Sequence, residues 1–258
     1  MRRAMLNSTQ AFVLALVCFV PATLTRATTA IALRSRYRIV LAADSLARYG
    51  MNGRATECKL FEISGVYATV SGLAHYGTSY RATDAIRDGF SRLGTFEDHV
   101  SATAYSLQRR TEQLLAQVEQ NNPAEYRALM LKANRPADFV QLAMAQSVNG
   151  KPMLGVVQLR WDGKQNRLRS ITSICPGNCG RDTGIFYLGY WERIKPYVAD
   201  AGQPRSVGSA ASIDRLIRME MNAHPSDVGA PINILEVNSS GARWLQNGGN
   251  CSLPGVGW

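Results

Sequence analysis

The sequence predicts an α+β fold, a four-layer αββα sandwich in which two mostly antiparallel β-sheets lie between layers of helices. Segments of alternating apolar residues, which are typical of strands, are joined by turn pairs such as Ser64-Gly65 and Asp162-Gly163. Segments with helical periodicity occur in pairs between the groups of strands. The chain of 258 residues is 46% apolar with no break in composition, which indicates one domain with a large core.

The longer elements follow the order strands, two helices, strands, two helices, strands. Alternating apolar residues predict the strands, whereas an apolar stripe that recurs about every 3.6 residues predicts the helices. The longest helix is expected to end before Pro123, with a short extra helix after it. The predicted strands are 28–35, 37–45, 58–64, 66–72, 138–147, 153–161, 166–174, 184–189 and two within 231–246. The predicted helices are 76–93, 96–120, 124–133, 190–200 and 209–223.

Residues 1–27 have the three parts of a secretory signal peptide. Arg2 and Arg3 precede an unbroken apolar run at 11–20, and small residues follow that run. The run is shorter than the roughly 20 residues that a helix needs to span a bilayer. The pattern therefore predicts export to the periplasm or the extracellular space, and an uncleaved anchor helix is the alternative.

Cleavage of this segment is expected after Ala27, with a cut after Ala22 as the competing choice. Thr28 would then be the first residue of the mature domain, 28–258. The mature chain would carry 26 basic residues, 29 minus the three arginines removed, against 19 acidic residues, a net charge of +7. No run of Lys and Arg is interleaved with aromatic residues, so nucleic-acid binding is not predicted.

Cys18 is removed with the signal peptide, which leaves four cysteines. In an exported protein, four cysteines predict two disulfides with three possible connectivities. Cys175 and Cys179 could close a small loop across a turn, which would leave Cys58 with Cys251. A zinc site is the alternative, but the three histidines are scattered and a second closely spaced ligand pair is missing. No metal or other cofactor is therefore predicted.

Two predicted hairpins bring polar residues close to Thr28. The first hairpin, with a turn at 35–37, pairs Thr28 with Asp44, and directly paired side chains have Cβ atoms about 4.5–5.5 Å apart. In the second hairpin Lys59 and Glu57 share a face, because side chains alternate along a strand. If the hairpins adjoin, Lys59 lies between Asp44 and Thr28. Each residue alone also has a structural explanation, Asp44 as a strand-end cap and Lys59 as a surface lysine.

This combination of residues suits nucleophilic catalysis at a chain terminus. A threonine hydroxyl needs a base within hydrogen-bond reach, and the free α-amino group of Thr28, with an ordinary pKa of about 7.7–8.0, can act as that base. Lys59 would lower that pKa by repulsion between like charges, and Asp44 would hold Lys59 in place. The backbone N–H of Gly72, at a strand end, could bind an oxyanion.

Three segments are similar to those of a known family. Residues 28–45, TTAIALRSRYRIVLAADS, resemble the start of mature proteasome β subunits, and residues 58–72, CKLFEISGVYATVSG, resemble the next segment of those proteins. The resemblance resumes at residues 229–245, GAPINILEVNSSGARWL. The chain is thus identified as a member of the proteasome β-subunit-like N-terminal nucleophile (Ntn) hydrolases in an exported form. The resemblance implies their four-layer fold.

The resemblance also implies roles for individual residues. Thr29 completes a Thr-Thr opening that the family shares, and Asp227 is a candidate supporting acid. The implied catalytic residues are Thr28 as the nucleophile, Asp44 as the conserved acid, Lys59 as the conserved lysine and Gly72 as the oxyanion glycine.

Two segments depart from the family pattern. The family usually has Gly-Ser-Gly where residues 189–191 read Gly-Tyr-Trp, so Tyr190 replaces a serine that assists the nucleophile. A second acid and serine normally precede the final strands, where residues 225–229 read Pro-Ser-Asp-Val-Gly and the acid is shifted to Asp227. These departures bear on rate and substrate range.

The predicted function is a threonine-type peptidase or amidohydrolase, activated when removal of the signal peptide frees Thr28. Its expected substrates are peptides or small amides, with no ATPase partner after export, and the resemblance implies a ring-like homo-oligomer. The first alternative is a catalytically inactive, proteasome-like structural or binding protein of the cell envelope. The second is an exported amidase of the penicillin-acylase or bile-salt-hydrolase sort. A structure that retains residues 1–27 would represent a precursor with a blocked amine.

Overall fold

The computed structural model describes most of the chain from residue 24 onward. Thr28 and the first 23 residues of the predicted signal peptide lie outside the described residues. Within the described part of the chain, no helix is both long enough and apolar enough to cross a membrane. The described residues are 24–27, 29–49, 53–133, 139–177, 179, 184–200, 208–249 and 251–252.

Groups of strands and helices alternate along the described chain. The strands are β1 (Leu24–Ala27), β2 (Thr29–Arg34), β3 (Arg38–Asp44), β4 (Leu46–Tyr49), β5 (Gly53–Thr56), β6 (Leu60–Ile63), β7 (Val66–Tyr76), β8 (Tyr80–Arg81), β9 (Val140–Val148), β10 (Lys151–Asp162), β11 (Arg167–Cys175), β12 (Gly184–Gly189), β13 (Ile232–Asn238) and β14 (Gly241–Gln246). The helices are α1 (Ala82–Phe90), α2 (Phe96–Asn121), α3 (Pro123–Ala133), α4 (Ile194–Asp200) and α5 (Ala210–Ala223). The helix predicted from residue 76 begins only at Ala82, because the chain turns at Gly77 and β8 pairs with β7.

All strand pairs among the described residues are antiparallel, and they form three sheets. The largest sheet has the order β1-β7-β9-β10-β11, and β6 and β8 also pair with β7. The second sheet has the order β12-β2-β3-β13-β14, and the third consists of β4 and β5 alone. Pairs such as β7 with β9 and β3 with β13 join distant parts of the chain.

Buried apolar side chains form three clusters that join sheets and helices. The first cluster, which includes Leu107, joins the largest sheet to α1 and α2. The second joins the two large sheets and includes Leu41 of β3 and Leu154 of β10. The third, with Val40 of β3 and Ile217 of α5, joins the second sheet to α4 and α5. Both faces of β3 are therefore buried, because adjacent residues of a strand point in opposite directions.

The prediction of a four-layer αββα sandwich was wrong. The described residues form a mixed structure of helices and several antiparallel sheets, and the third sheet, of β4 and β5, was not predicted. Residues 46–56 lack an alternating apolar pattern, so periodicity does not predict β4 and β5. Hairpin turns indicate which consecutive strands pair, but they do not indicate how many sheets the strands will form.

The first hairpin is shifted by one residue from the prediction. The N–H of Ser35 donates to the carbonyl oxygen of Arg38 at 2.8 Å, which closes a turn one residue tighter than expected. The predicted register, which set Thr28 opposite Asp44, was therefore wrong by one residue, and the observed register brings Thr29 to that position. The β6–β7 hairpin has the predicted register.

Two disulfides join four cysteines. Cys58 is bonded to Cys251, and Cys175 is bonded to Cys179, so one of the three possible connectivities is present. The first bridge links the segment before β6 to the C-terminal segment across 193 residues of sequence, which restricts the unfolded chain. Disulfides persist in oxidising compartments, so this pairing is consistent with export.

Candidate active site

The side chain of Asp44, at the end of β3, is the centre of a buried hydrogen-bond network. Its Oδ1 atom accepts from the Thr29 N–H at 3.1 Å and from Lys59 Nζ at 3.0 Å. Its Oδ2 atom accepts from the N–H groups of Leu46 at 3.1 Å and Gly229 at 3.0 Å. Four donors thus satisfy both oxygens of a fully buried carboxylate, which fixes its orientation.

Lys59 lies just before β6, and its side chain is held from two directions. In addition to the bond to Asp44, its Nζ atom donates to the carbonyl oxygen of Leu46 at 2.6 Å. Burial lowers the pKa of Lys59, and the nearby Asp44 carboxylate opposes that change. The structure therefore brings together two of the predicted catalytic side chains as a buried ion pair.

The predicted nucleophile lies outside the described residues, but both of its neighbours in the chain are placed. On one side, Ala27 pairs with Gly72 where β1 runs along β7. On the other side, Thr29 is buried, its N–H bonds to Asp44, and its Oγ1 donates to the carbonyl oxygen of Tyr190 at 3.2 Å. The residue before position 28 therefore lies beside Gly72, the oxyanion candidate, and the residue after it is bonded to Asp44, the predicted acid.

Gly72 adopts a backbone conformation that an L-residue rarely adopts. Its φ angle is +81°, in the left-handed region that favours glycine. A Cβ atom at this position would lie 2.5 Å from the carbonyl oxygen of Phe139. Backbone geometry and close packing therefore both require glycine here.

Replacing Gly72 with alanine is expected to lower the free energy of unfolding by about 2–4 kcal/mol, from the left-handed conformation and the overlap with Phe139 together. The measurement is urea denaturation followed by circular dichroism. Gly163→Ala is the matched control, because a Cβ atom at Gly163 would have open space around it. Equal stability of the two variants would contradict the prediction.

Gln141 of β9 is a site residue that sequence reasoning missed. Its Oε1 atom accepts from Ser71 Oγ at 2.9 Å and from the N–H of Gly189 at 2.6 Å. It thereby connects the residue before Gly72 with the end of β12, and so links the two large sheets next to the site. The sequence does hold a signal for Gln141, because it is a polar residue between apolar residues in a predicted strand. A polar side chain that is buried in this way needs hydrogen-bond partners.

The two segments that depart from the family pattern follow β12 and α5. The backbone carbonyl of Tyr190 accepts a hydrogen bond from Thr29. Tyr190 occupies the position at which the family pattern has a serine. Its ring stacks on His224 with 4.3 Å between ring centres. Asp227, the candidate supporting acid, lies in the turn after α5, where its carboxylate accepts from Ser226 Oγ at 2.9 Å.

A cleft of about 330 Å³ opens beside Lys59. Its walls carry charges of both signs from Glu57 and Arg81, together with the apolar side chain of Val70. His75 also lines the cleft, and burial lowers the pKa of this histidine. The volume is at the lower end of the range typical of small-ligand pockets.

Solved structures share this fold at low sequence identity. The chain aligns with Anbu from Pseudomonas aeruginosa, solved as a helical assembly of the Anbu complex, with a TM-score of 0.52 and 15% identity over 87% of this chain and 88% of that one. It aligns with Anbu (ancestral beta-subunit) from Yersinia bercovieri with a TM-score of 0.51 and 13% identity over 85% and 88% of the two chains. No family model and no curated protein matches the sequence.

These findings overturn the family assignment made from the sequence. Both of these structures are Anbu proteins, which are proteasome-like but distinct, so assignment to the proteasome β-subunit-like Ntn hydrolases in an exported form was wrong. The three segments that resemble proteasome β subunits are mostly strands and their turns. Several families can share the backbone fold that such segments specify. What the similarity shows is a proteasome-like β-subunit fold.

Proposed function

We propose that the chain is a threonine hydrolase of amide or peptide bonds, which becomes active when removal of residues 1–27 exposes Thr28. The observation that carries this proposal is the buried ion pair of Asp44 and Lys59, 3.0 Å apart, with Asp44 bonded to the N–H of Thr29. A buried lysine beside a new chain terminus lowers the pKa of the α-amino group and stabilises negative charge on a nearby hydroxyl oxygen.

In the proposed reaction, Thr28 Oγ attacks the carbonyl carbon of the substrate while the Thr28 α-amino group takes the hydroxyl proton. The tetrahedral intermediate carries an oxyanion, for which the N–H of Gly72 is the candidate donor. The C–N bond then breaks, and the protonated α-amino group gives its proton to the departing amine. Water hydrolyses the resulting ester with the same α-amino group as the base, which regenerates Thr28.

The position of β1, which forms the end of the predicted signal peptide, supports a second effect of cleavage. In the full-length chain β1 is the outermost strand of the largest sheet, and Ala27 lies opposite Gly72. Removing residues 1–27 would free this edge of β7 as well as the amine of Thr28. An extended peptide could then add to the exposed edge through backbone hydrogen bonds and so present its carbonyl group near Gly72.

The cleft beside Lys59 supports peptides or small amides as the substrate class. Its volume of about 330 Å³ can take a side chain of an extended peptide but not a folded protein. Glu57 and Arg81 on its walls favour a polar or charged side chain over an apolar one. Small or unfolded substrates also fit export, because no ATP-driven unfolding partner is expected outside the cytosol.

Export and self-association are part of the proposal. The two disulfides support an oxidising compartment, where signal peptidase would release the chain at Thr28 without self-cleavage. Self-association is supported by the Anbu structure that was solved as a helical assembly. We therefore propose a homo-oligomer, but we do not assign it the ring symmetry that the sequence resemblance implied.

A second candidate function is that of a catalytically inactive structural or binding protein of the envelope. The observation that favours it is that Tyr190 offers a backbone carbonyl to Thr29 at a position where the proteasome β-subunit sequence pattern has a serine side chain. In that case Thr28 would still begin the mature chain, but it would not react.

The test is to express the full-length protein with export, to sequence the N terminus of the released form, and to treat that form with a β-lactone. We expect the chain to begin at Thr28 and to gain one lactone adduct on that residue, and we expect no adduct on uncleaved protein with its blocked amine. A terminus at Thr28 without an adduct would favour the inactive alternative. A stable terminus elsewhere would contradict the activation step itself.

A further inference from the structure

Three side chains that can ligate a metal meet where α5 ends. His224 Nε2 lies 3.5 Å from Glu220 Oε2 and 3.9 Å from Glu192 Oε2. The three ligand atoms all lie within 4.8 Å of one another. We propose that Glu192, Glu220 and His224 form a binding site for a divalent transition-metal ion of the zinc class.

Glu220 is the residue that points most directly to a bound cation. Its side chain is fully buried, and its Oε1 atom accepts from the N–H groups of Arg193 at 2.6 Å and Ile194 at 3.0 Å. Its Oε2 atom is buried as well, yet no group in the described part of the chain donates a hydrogen bond to it. A buried carboxylate oxygen without a donor is costly, and a metal ion would satisfy it.

The two bonds at Oε1 also fix the direction of the free oxygen. Because the N–H groups of Arg193 and Ile194 hold one side of the carboxylate, Oε2 is left facing the imidazole of His224. Glu220 lies in the last turn of α5 and His224 directly follows the helix, four residues later, so the two side chains meet at its C-terminal end. The two ligands are therefore oriented before an ion arrives.

The spacing fits metal ligation better than a direct ion pair. Distances of 3.5 and 3.9 Å from His224 Nε2 to the two carboxylates are longer than hydrogen bonds, which span about 2.7–3.2 Å. Ligand atoms around a tetrahedral ion with bonds of about 2.0–2.1 Å are about 3.3 Å from one another. A small movement of Glu192, which is 60% exposed, would complete this geometry.

The ligand types indicate which metals fit. An imidazole nitrogen with two carboxylate oxygens suits zinc and neighbouring transition metals, whereas Mg²⁺ and Ca²⁺ prefer sites made of oxygen alone. Three protein ligands leave a fourth position for water, and the exposure of Glu192 leaves that position open to solvent.

A bound ion would hold the segment that follows β12 against α5. The ring of Tyr190 stacks on His224, and the N–H of Trp191 donates to Glu192 Oε2 at 3.0 Å. The carbonyl oxygen of Tyr190 in turn accepts from Thr29 Oγ1. The ion would thus position this segment beside the candidate active site without touching the reacting atoms, and its binding does not depend on the proposed hydrolase activity.

The test is equilibrium dialysis of the full chain against Zn²⁺ at neutral pH, with both disulfides intact and no polyhistidine tag, followed by measurement of bound metal. We expect about one zinc ion per chain, as a single three-ligand site implies. Glu192→Gln and His224→Gln should each weaken binding at least tenfold. His75→Gln is the matched histidine control and should bind as the wild type does. Excess Mg²⁺ should not displace the zinc.

A second measurement guards against variants that fail to fold. Zn²⁺ should raise the Tm of the wild type and of His75→Gln but not that of Glu192→Gln or His224→Gln, while all four proteins have similar Tm values without metal. Absence of saturable zinc binding would overturn the proposal. So would equal binding by all variants, displacement by Mg²⁺, or a loss confined to His75→Gln, which would place the metal in the cleft.

Discussion

Replacing Thr28 with alanine is expected to lower kcat/KM for amide hydrolysis by at least about 10⁴-fold while the free energy of unfolding stays unchanged. The alanine variant keeps the α-amino group and Lys59, but it has no hydroxyl to attack the substrate. The measurement is the rate of hydrolysis of fluorogenic peptide amides by exported protein whose N terminus has been sequenced at residue 28.

Thr28→Ser is the matched control for this experiment. Serine keeps both the hydroxyl and the amine at the same position, so measurable turnover should remain. If Thr28→Ala hydrolyses peptide amides as fast as the wild type, Thr28 is not the nucleophile. If serine and alanine are equally inactive although the wild type turns over, the reaction needs the threonine methyl group in a way that the proposed mechanism does not explain.

Local chemistry made much of the fold predictable. Ser64 and Gly65 both have positive φ angles, as a two-residue turn between twisted strands requires, and the predicted register of β6 with β7 follows from that turn. The long helix α2 begins after Thr95, which forms a reciprocal capping box with Asp98. In both cases the residues that define the element lie within a few positions of one another.

Long-range pairing was not predictable in the same way. The tight turn of the first hairpin depends on whether Ser35 lies inside it or closes it, and the sequence is compatible with both, so the register was off by one. No alternation of apolar residues predicts the pairing of β4 with β5, because Arg54 and Thr56 are exposed. The number of sheets depends on contacts such as β7 with β9, which are separated in the chain by three helices and which no local pattern encodes.

The residues of the candidate site also differ in how far the sequence could predict them. Asp44 and Lys59 were identified from hairpin spacing together with the family resemblance, because each lies at or next to the end of a strand that the sequence indicates. The N–H of Gly229 and the carbonyl of Tyr190 were missed, because backbone groups carry no residue-specific signal and come from distant parts of the chain. Gln141 was missed because its partners belong to other strands.

Replacing Asp44 with asparagine is expected to lower the free energy of unfolding by about 3–5 kcal/mol. The Lys59 ammonium would remain buried but would lose the carboxylate that lies 3.0 Å away. The amide nitrogen of asparagine would also face either Lys59 or the N–H groups of Leu46 and Gly229, so that donors would meet donors.

Replacing Lys59 with methionine should cost less, about 1–3 kcal/mol, because the Asp44 carboxylate loses one of its four hydrogen-bond donors. Burial lowers the pKa of Lys59 despite the attraction of Asp44, so the folded chain holds the lysine proton less tightly than the unfolded chain does. The charged lysine therefore lowers stability below its folded pKa, and this cost shrinks as the pH rises from that pKa towards the unfolded value. Methionine removes the charge and keeps the length, and Asp44 retains three backbone N–H donors.

Both free energies are measured by urea denaturation at neutral pH with the disulfides intact. Arg87→Met is the control, because Arg87 pairs with Asp84 on the surface with 62% of its side chain exposed, where an ion pair contributes less than about 1 kcal/mol. An equal loss from Asp44→Asn and Lys59→Met would mean that the lysine holds the carboxylate in place. The expected result is a larger loss of unfolding free energy from Asp44→Asn than from Lys59→Met. That result would mean that backbone N–H groups hold Asp44 in place, and that Asp44 in turn holds Lys59 where the proposed mechanism needs it.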